Sequence, residues 1–165
     1  MRHIQAPFAL IQRPHAQGAP QWLARWNPRC QRYQLLGCYR HPEETFRCSL
    51  TRELAVELGL SPETDFDVAA EARARYEYTA WSDTATCLTE YEVELYEVQL
   101  RSSAALARLL DDPRNRWLTE EEIQRRRCHD GRPVSVTLWH VLDSLHDNLL
   151  AEPRGGRCKA GAVSR

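Results

Sequence analysis

The chain has 165 residues, of which 42% are hydrophobic, and a net charge of −1 at pH 7, so it is long enough for one domain with a real core. The near-neutral charge gives no basis for electrostatic capture of nucleic acid or of a membrane surface, and we expect neither as a partner. Six cysteines without a C-x-x-C pair, no signal peptide and no apolar run of about 18 residues predict reduced thiols in a cytoplasmic protein.

Three strands are predicted before the first helix. Ala6 to Gln12 and Gln21 to Trp26 are two apolar runs joined by a turn region that contains Gly and Pro, which is typical of a hairpin-like pair. Tyr33 to Leu36 forms a third run and leads directly into Gly37. The sequence therefore predicts that a strand delivers the chain to a loop at Gly37.

The first helix is predicted between Thr45 and Gly59. Thr45 is a plausible N-cap, and Gly59 stands where a left-handed residue ends a helix. Apolar residues recur at every fourth position and predict one buried stripe. This stripe consists of Phe46, Leu50, Leu54 and Leu58. Glu53 and Glu57 are one turn apart, about 40° around the axis, so their carboxylates share a face beside the stripe.

Two like charges on one helix face repel each other unless a cation lies between or beside them. Arg52 and a Mg²⁺ ion are the candidates for that cation. An ordinary amphipathic helix with a solvated acidic face is the alternative. We consider it the weaker one, because a preceding glycine, Glu44 and the ending R-E-apolar-x-x-E-x-G-apolar coincide here.

The stretch from Gly37 to Leu60 resembles the Nudix box, G-x(5)-E-x(7)-R-E-U-x-E-E-x-G-U, in which U is an aliphatic residue. Gly37 matches the extra glycine that usually precedes the box. Two positions depart from the pattern: Cys38 replaces the first glycine, and Val56 replaces the first glutamate of the E-E pair. The positions that match are Glu44, Arg52, Glu53, Leu54, Glu57, Gly59 and Leu60.

The resemblance implies an α/β/α sandwich with a mixed β-sheet over residues 1–150. It implies a hydrolase that uses Mg²⁺ or Mn²⁺ to cleave a nucleoside diphosphate linked to another group, or another small diphosphate, and it allows a homodimer. Residues 151–165 contain Gly, Pro and basic residues and are predicted to form a disordered basic tail.

In such enzymes the box helix carries the metal ligands, and the resemblance implies a role for each matching residue. Glu53 and Glu57 would be catalytic residues that ligate the metal. Arg52 would be a catalytic residue that orients the site by pairing with Glu44. Hard cations take oxygen ligands and keep several waters, so two carboxylates, a carbonyl and the substrate phosphates make a reasonable site. The metal would lower the pKa of an attacking water.

The loop before the helix is the second part of the implied metal site. The backbone at Gly37 and Cys38 is expected to add a carbonyl ligand. A thiol is a poor ligand for Mg²⁺. We therefore interpret the Cys38 side chain as a small buried group rather than as a ligand.

Valine cannot ligate a metal, so Val56 removes one of the usual three carboxylates. Acids beyond the box are the candidates to replace it. They are Asp83, Glu90, Glu92 and Glu94. The alternative is that these acids form a solvated sheet face, and the residues alone favour that alternative.

Two further strands are predicted after the helix, over Ala70 to Ala80 and Glu90 to Leu100. In the second strand Tyr91, Val93 and Leu95 alternate with acids. The later apolar residues, Val98 and Leu100, are one residue out of phase. This shift predicts a β-bulge.

The C-terminal third is predicted to contain two helices. Thr119 and Glu122 form a capping box that starts a short helix, and Val134 to Leu150 has the apolar spacing of a longer one. His140 and His146 lie on that longer helix. Without a partner motif we interpret both as packed or surface residues.

Two functions remain open at the level of sequence. The retained R-E-x-x-x-E-x-G pattern and Glu44 favour a phosphoanhydride hydrolase. The missing glutamate and glycine favour a binding or regulatory module that recognises a nucleotide, a nucleotide sugar or a protein without cleaving it. We favour the hydrolase, because a site without catalytic need has no physical reason to keep an acidic cluster beside an apolar stripe.

Overall fold

The computed structural model describes residues 2–14, 18–82, 85–140 and 142–143, and within these ranges seven strands form one mixed sheet. The strands are β1 Arg2–Pro14, β2 Pro20–Asn27, β3 Arg32–Gln34, β4 Phe66–Val68, β5 Ala74–Ser82, β6 Cys87–Leu100 and β7 Asn115–Thr119. The helices are α1 Phe46–Leu58, α2 Ser103–Asp111 and α3 Glu120–Gln124. Residues 136–140 and 142–143 are also helical.

The long strand β1 joins the two halves of the sheet. It pairs with β6 in parallel, from Arg2↔Thr89 to Ile11↔Val98. Its last residues pair with β2 in the antiparallel direction. Strand β2 continues to β3 and β7, and β6 continues to β4 and β5. One parallel pair within otherwise antiparallel neighbours makes the sheet mixed.

Successive side chains of the central strands point to opposite sides of the sheet. Apolar residues therefore lie on both faces, and helices cover both. Ile11 and Tyr96 face a core that includes apolar residues of α1 and α2. Leu10 and Leu95, each one residue earlier, face a second core that includes Ile123 of α3 and the helical residues Leu138 and Leu142. The predicted α/β/α sandwich with a mixed sheet is confirmed.

Helix α1 begins and ends where the sequence predicts. Thr45 Oγ1 accepts a hydrogen bond from the Cys48 amide at 3.1 Å, and Gly59 takes a φ of 62°. Leu50 and Leu54 are fully buried. Phe46 and Leu58, at the two ends of the stripe, pack against the same core. The amphipathic pattern therefore sets the rotation of α1 about its own axis.

The other predicted elements are present with shifted boundaries. Strand β5 begins at Ala74 rather than at Ala70, and the capping box of Thr119 and Glu122 is formed on α3. The last predicted helix is seen at residues 136–140 and 142–143, while His146 and the tail at 151–165 lie outside the described residues. In the described part of the chain no helix is both long and apolar enough to span a membrane.

The predicted bulge in β6 is wrong. Its pairing with β1 advances one residue at a time through Phe8↔Leu95 and Ile11↔Val98, without an extra residue on either strand. The change of apolar phase has another cause, because β6 is covered on both faces in its second half. Leu95 is buried in one core and Val98 in the other.

Candidate active site

The loop after β3 runs along β1 and needs a glycine to do so. The Ala9 amide donates to the Leu36 carbonyl at 2.8 Å, and the Cys38 amide donates to the Pro7 carbonyl at 3.3 Å. A Cβ atom on Gly37 would lie 2.3 Å from Cδ1 of Phe8 and 2.6 Å from the Pro7 carbonyl oxygen. No side chain fits at those distances, so Gly37 is what lets the loop lie against the strand.

Arg52 and Glu44 form the pair that the resemblance implies. Arg52 Nε lies 3.0 Å from Glu44 Oε1, and its Nη2 donates to Oε2 at 3.2 Å. The buried Ser49 donates its hydroxyl to the same Oε2 at 2.7 Å and accepts from the His41 amide at 3.0 Å. These hydrogen bonds, chiefly that from Arg52, hold the pKa of Glu44 below its ordinary value.

Arg40 fixes the same loop from the other side. Its Nε donates to Gln5 Oε1 on β1 at 2.7 Å, and its Nη1 donates to the Glu44 carbonyl at 2.8 Å. The Arg40 amide also donates to the Gln5 carbonyl at 2.7 Å. The loop between β3 and α1 is thus attached to β1 at several points, and Glu44 is held at a defined position in front of Arg52.

A cleft of about 1110 Å³ opens beside this loop. One wall is formed by Gly37, Cys38, Arg52 and Glu53. The floor is the face of β5 and β6 that carries Tyr78 and Tyr91, whose rings stack with centroids 5.1 Å apart and planes 18° apart. The cleft therefore combines an acidic and basic wall with an aromatic floor.

The side chain of Glu53 is 30% exposed and lies 3.9 Å from Arg52 Nη1, measured to its Oε2. The neighbouring thiol of Cys38 is partly buried. Burial, and then the charge of Glu53, raise the pKa of Cys38 to about 11. The thiol is accordingly neutral at physiological pH. Of the four described residues that form this wall, Glu53 is the anionic one.

Glu57 has a different environment from Glu53. Its side chain is 44% exposed, and its carboxylate Oε2 lies 4.0 Å from Nε of Arg25 on β2. Arg25 Nη1 also donates to the Glu57 carbonyl at 3.1 Å. Glu57 is absent from the described lining of the cleft, and Val56 is 74% exposed. Of the two box glutamates, Glu53 is the one among the described residues that line the cleft.

Two of the candidate replacement acids are engaged elsewhere. Glu92 accepts from Gln5 Nε2 at 2.5 Å, and Glu94 is paired with Arg75 and accepts from the Tyr96 hydroxyl at 2.5 Å. Both alternate along β6 with the lining residues Tyr91 and Val93, and neither is among the described residues that line the cleft.

The other two candidates are not tied to the site. Glu90 is exposed on the same face of β6 as Glu92, opposite Thr79 in the register with β5. Asp83 lies outside the described residues. The role of a replacement acid therefore stays a prediction for all four.

Sequence reasoning missed two groups of residues. His140 and Asp143 line the cleft from the C-terminal helical segment, and their spacing of three residues places them on one helix face. No local signal shows which face meets the cleft. Arg25 was missed because its partners come from α1 and from the chain after α2, so that only the folded chain assembles them.

The donors on the cleft wall suit a hard cation, although no cluster of acids is present. Among the described residues, no three His, Cys, Asp or Glu side chains come close enough together to hold a metal ion. The oxygen donors that the resemblance implies on this wall are the Glu53 carboxylate and the carbonyls of Gly37 and Cys38. Magnesium sites commonly use one or two carboxylates with substrate phosphates and waters, so this set is sufficient in kind.

No protein-family model matches the sequence, and no curated protein matches it. Solved structures do match. An Ap4A hydrolase from C. elegans aligns with a TM-score of 0.58 and 14% identity, over 90% of this chain and 99% of that one. The Nudix hydrolase RenU from M. smegmatis aligns with a TM-score of 0.53 and 18% identity, over 88% and 87%.

NrtR from Shewanella oneidensis aligns with a TM-score of 0.61 and 11% identity, over 88% of this chain and 62% of that one. NrtR has also been solved with a 27mer DNA, and its NUDIX domain with ADP ribose. These three proteins share their fold with this chain while differing widely in sequence. The chain has the Nudix fold.

Proposed function

We propose that the protein is a divalent-metal-dependent hydrolase that cleaves a phosphoanhydride in a nucleoside diphosphate linked to another group. The observation that carries the proposal is the wall of the cleft. Glu53, the Arg52–Glu44 pair and the Gly37 loop are held together there, in the order in which the box pattern places them along the chain.

The metal, Mg²⁺ or Mn²⁺, would be held by Glu53 with help from the carbonyls of Gly37 and Cys38. When bound, it would neutralise the diphosphate and lower the pKa of an attacking water. Waters and substrate phosphates would complete its ligands. Because phosphoryl chemistry depends mainly on positioning and charge stabilisation, a site with fewer carboxylates than usual remains chemically reasonable.

The chain's own residues supply the positioning. Ser49 donates to Glu44, and Glu44 accepts from Arg52, so the Arg52 guanidinium is held in place. Its positive charge therefore lies beside Glu53 before any substrate binds. The stacked pair of Tyr78 and Tyr91 offers a flat aromatic surface in the floor, of a kind suited to a nucleobase. Both features support a nucleotide derivative as the substrate class.

A binding module without turnover is the second candidate, and two observations favour it. Val56 is 74% exposed and carries no carboxylate, and the Glu57 carboxylate has Arg25 within ion-pair distance. A protein of this kind would bind a nucleotide derivative in the same cleft. A regulatory role, a homodimer and a cytoplasmic location remain predictions.

The test is turnover of a panel of nucleoside triphosphates, ADP-ribose, dinucleoside polyphosphates and nucleotide sugars with Mg²⁺ and with Mn²⁺. Glu53→Gln is the test variant, and Glu71→Gln, at an exposed position away from the cleft, is the matched control. We expect turnover in the wild type and in the control, and its loss in Glu53→Gln. Folded wild-type protein that is silent across the panel but binds one of these compounds would support the binding module instead.

A further inference from the structure

Arg25 is a buried cation at the C-terminal end of α1. The residue is 8% exposed. Its Nη2 lies 2.9 Å from Asp112 Oδ2, its Nη1 donates to the Glu57 carbonyl at 3.1 Å, and its Nε lies 4.0 Å from the Glu57 carboxylate. A guanidinium in such a position is costly unless carboxylates neutralise its charge and carbonyl oxygens accept hydrogen bonds from its N–H groups. Within the described ranges, Asp112 and Glu57 are the carboxylates at ion-pair distance from Arg25.

Asp112 alone cannot neutralise Arg25, because it is shared with a second arginine. Arg114 Nη2 lies 2.8 Å from Asp112 Oδ2, and its Nε donates to Oδ1 at 3.1 Å. These contacts with Arg114, assisted by Arg25, lower the pKa of Asp112 to about 2. Two guanidinium groups therefore share one carboxylate. Glu57 is the group that brings this cluster to charge balance.

We infer that Arg25 takes the place of a metal ion at Glu57. The guanidinium is the counter-charge of this carboxylate, and the metal site of the cleft uses the Glu53 side of α1 alone. The inference deepens the proposed function and rests on it only for the presence of a metal at Glu53. The partnership of Arg25 with Glu57 rests on the contacts themselves.

The absence of a carboxylate at Val56 agrees with this division of α1. Glu53 faces Arg52 and the cleft, and Glu57 faces Arg25 on β2. Each glutamate thus has one arginine within about 4 Å. A third carboxylate between them would have no resident cation, and like charges one turn apart on a helix repel.

The first experiment is thermal unfolding in EDTA, where no metal contributes. Glu57→Gln removes the partner of a buried cation, so Tm should fall by about 2–4 °C. If Glu57 instead belonged to an acidic metal site with Glu53, the same change would relieve repulsion between the two carboxylates in EDTA and raise Tm. Glu53→Gln, the same substitution one turn earlier on the same helix, is the matched control. In an Arg25→Gln background the loss caused by Glu57→Gln should disappear.

The second experiment is a Mn²⁺ titration in which calorimetry measures the Kd. Glu57→Gln should bind Mn²⁺ with the wild-type Kd, and Glu53→Gln should weaken binding by about tenfold or more. A rise of Tm in Glu57→Gln, or a loss of Mn²⁺ affinity equal to that of Glu53→Gln, overturns the inference. If no variant binds Mn²⁺, the proposed function fails, while unfolding in EDTA still decides the role of Arg25. The Tm of the single Glu57→Gln variant in EDTA decides the role of Arg25, so the test does not depend on whether Arg25→Gln folds.

Discussion

Helix α1 places two glutamates near arginines in different surroundings. In the middle of the helix, Arg52 is tied to Glu44 and lies with Glu53 on the wall of an open cleft. At the C-terminal side, Arg25 is buried and holds Glu57 together with Asp112. The helix spacing makes Glu53 and Glu57 equivalent, but the strands and loops around them do not. We therefore propose that a shared helix face is not a shared site here.

The largest effect we expect is the difference in turnover between substitutions of these two glutamates. Glu53→Gln should lower kcat/KM by about 100-fold or more, because it removes the carboxylate that would hold the metal. Glu57→Gln should leave kcat/KM within about threefold of the wild type, apart from its effect on stability. Steady-state kinetics on the best substrate of the panel measures both. Equal losses in the two variants would break the comparison.

The second prediction concerns the loop at Gly37, beside the cleft. Gly37→Ala should destabilise the fold by about 1–3 kcal/mol, because its Cβ would overlap Phe8 and the Pro7 carbonyl. Urea unfolding followed by circular dichroism measures this loss. Gly131→Ala is the control for backbone strain alone, because this glycine has a φ of 83° and open space around an added Cβ. A Gly37→Ala protein as stable as the wild type would mean that the loop does not lie against β1 as described.

A third prediction places a carboxylate on the exposed surface between the two glutamates. Val56→Glu should raise Mn²⁺ affinity by about tenfold if α1 offers Glu53 to a metal, because a second acid one turn away adds an oxygen ligand. Val56→Gln, similar in size and uncharged, should not. The Kd of each variant from a Mn²⁺ titration is the measurement. Equal affinity in both variants would argue against a metal on this side of α1.

The smallest expected effect is the pH dependence of the Arg25 end. The pKa of Asp112 is lowered to about 2, chiefly by its hydrogen bonds with Arg114. A carboxyl group with a depressed folded-state pKa stabilises the fold above its ordinary pKa near 3.8 and loses that contribution as the pH falls towards 2. Tm should therefore drop over this range, and Asp112→Asn should reduce the drop. An unchanged slope in Asp112→Asn would remove Asp112 from the account of this end.

Local signals account for what the sequence predicted well. The caps at Thr45 and Gly59 and the stripe through Leu50 and Leu54 are read within one helix, and the structure confirms them. The mixed sandwich was implied by the resemblance to the box. The bulge in β6 was mispredicted because its apolar phase depends on helices packed on both faces, which a single strand does not reveal.

The partners of the site residues were less predictable. Arg25 meets Glu57 only because β2 passes the end of α1, and His140 reaches the cleft only through the packing of the C-terminal helical segment. Spacing along the sequence contains neither fact. Glu92 and Glu94 lie on the strand where an extra acid was expected, but their partners Gln5 and Arg75 are known only from the folded chain.

The most direct test is a crystal structure of the protein with Mn²⁺ and a non-hydrolysable analogue of ADP-ribose, with anomalous scattering used to locate the metal. We predict a Mn²⁺ peak beside Glu53 and the carbonyls of the Gly37 loop, with the Arg25–Glu57 contact intact. A metal bound by Glu57, with Arg25 displaced, would contradict the division of α1. Clear density for the analogue in the cleft without any metal would contradict the proposed hydrolase and favour a binding module.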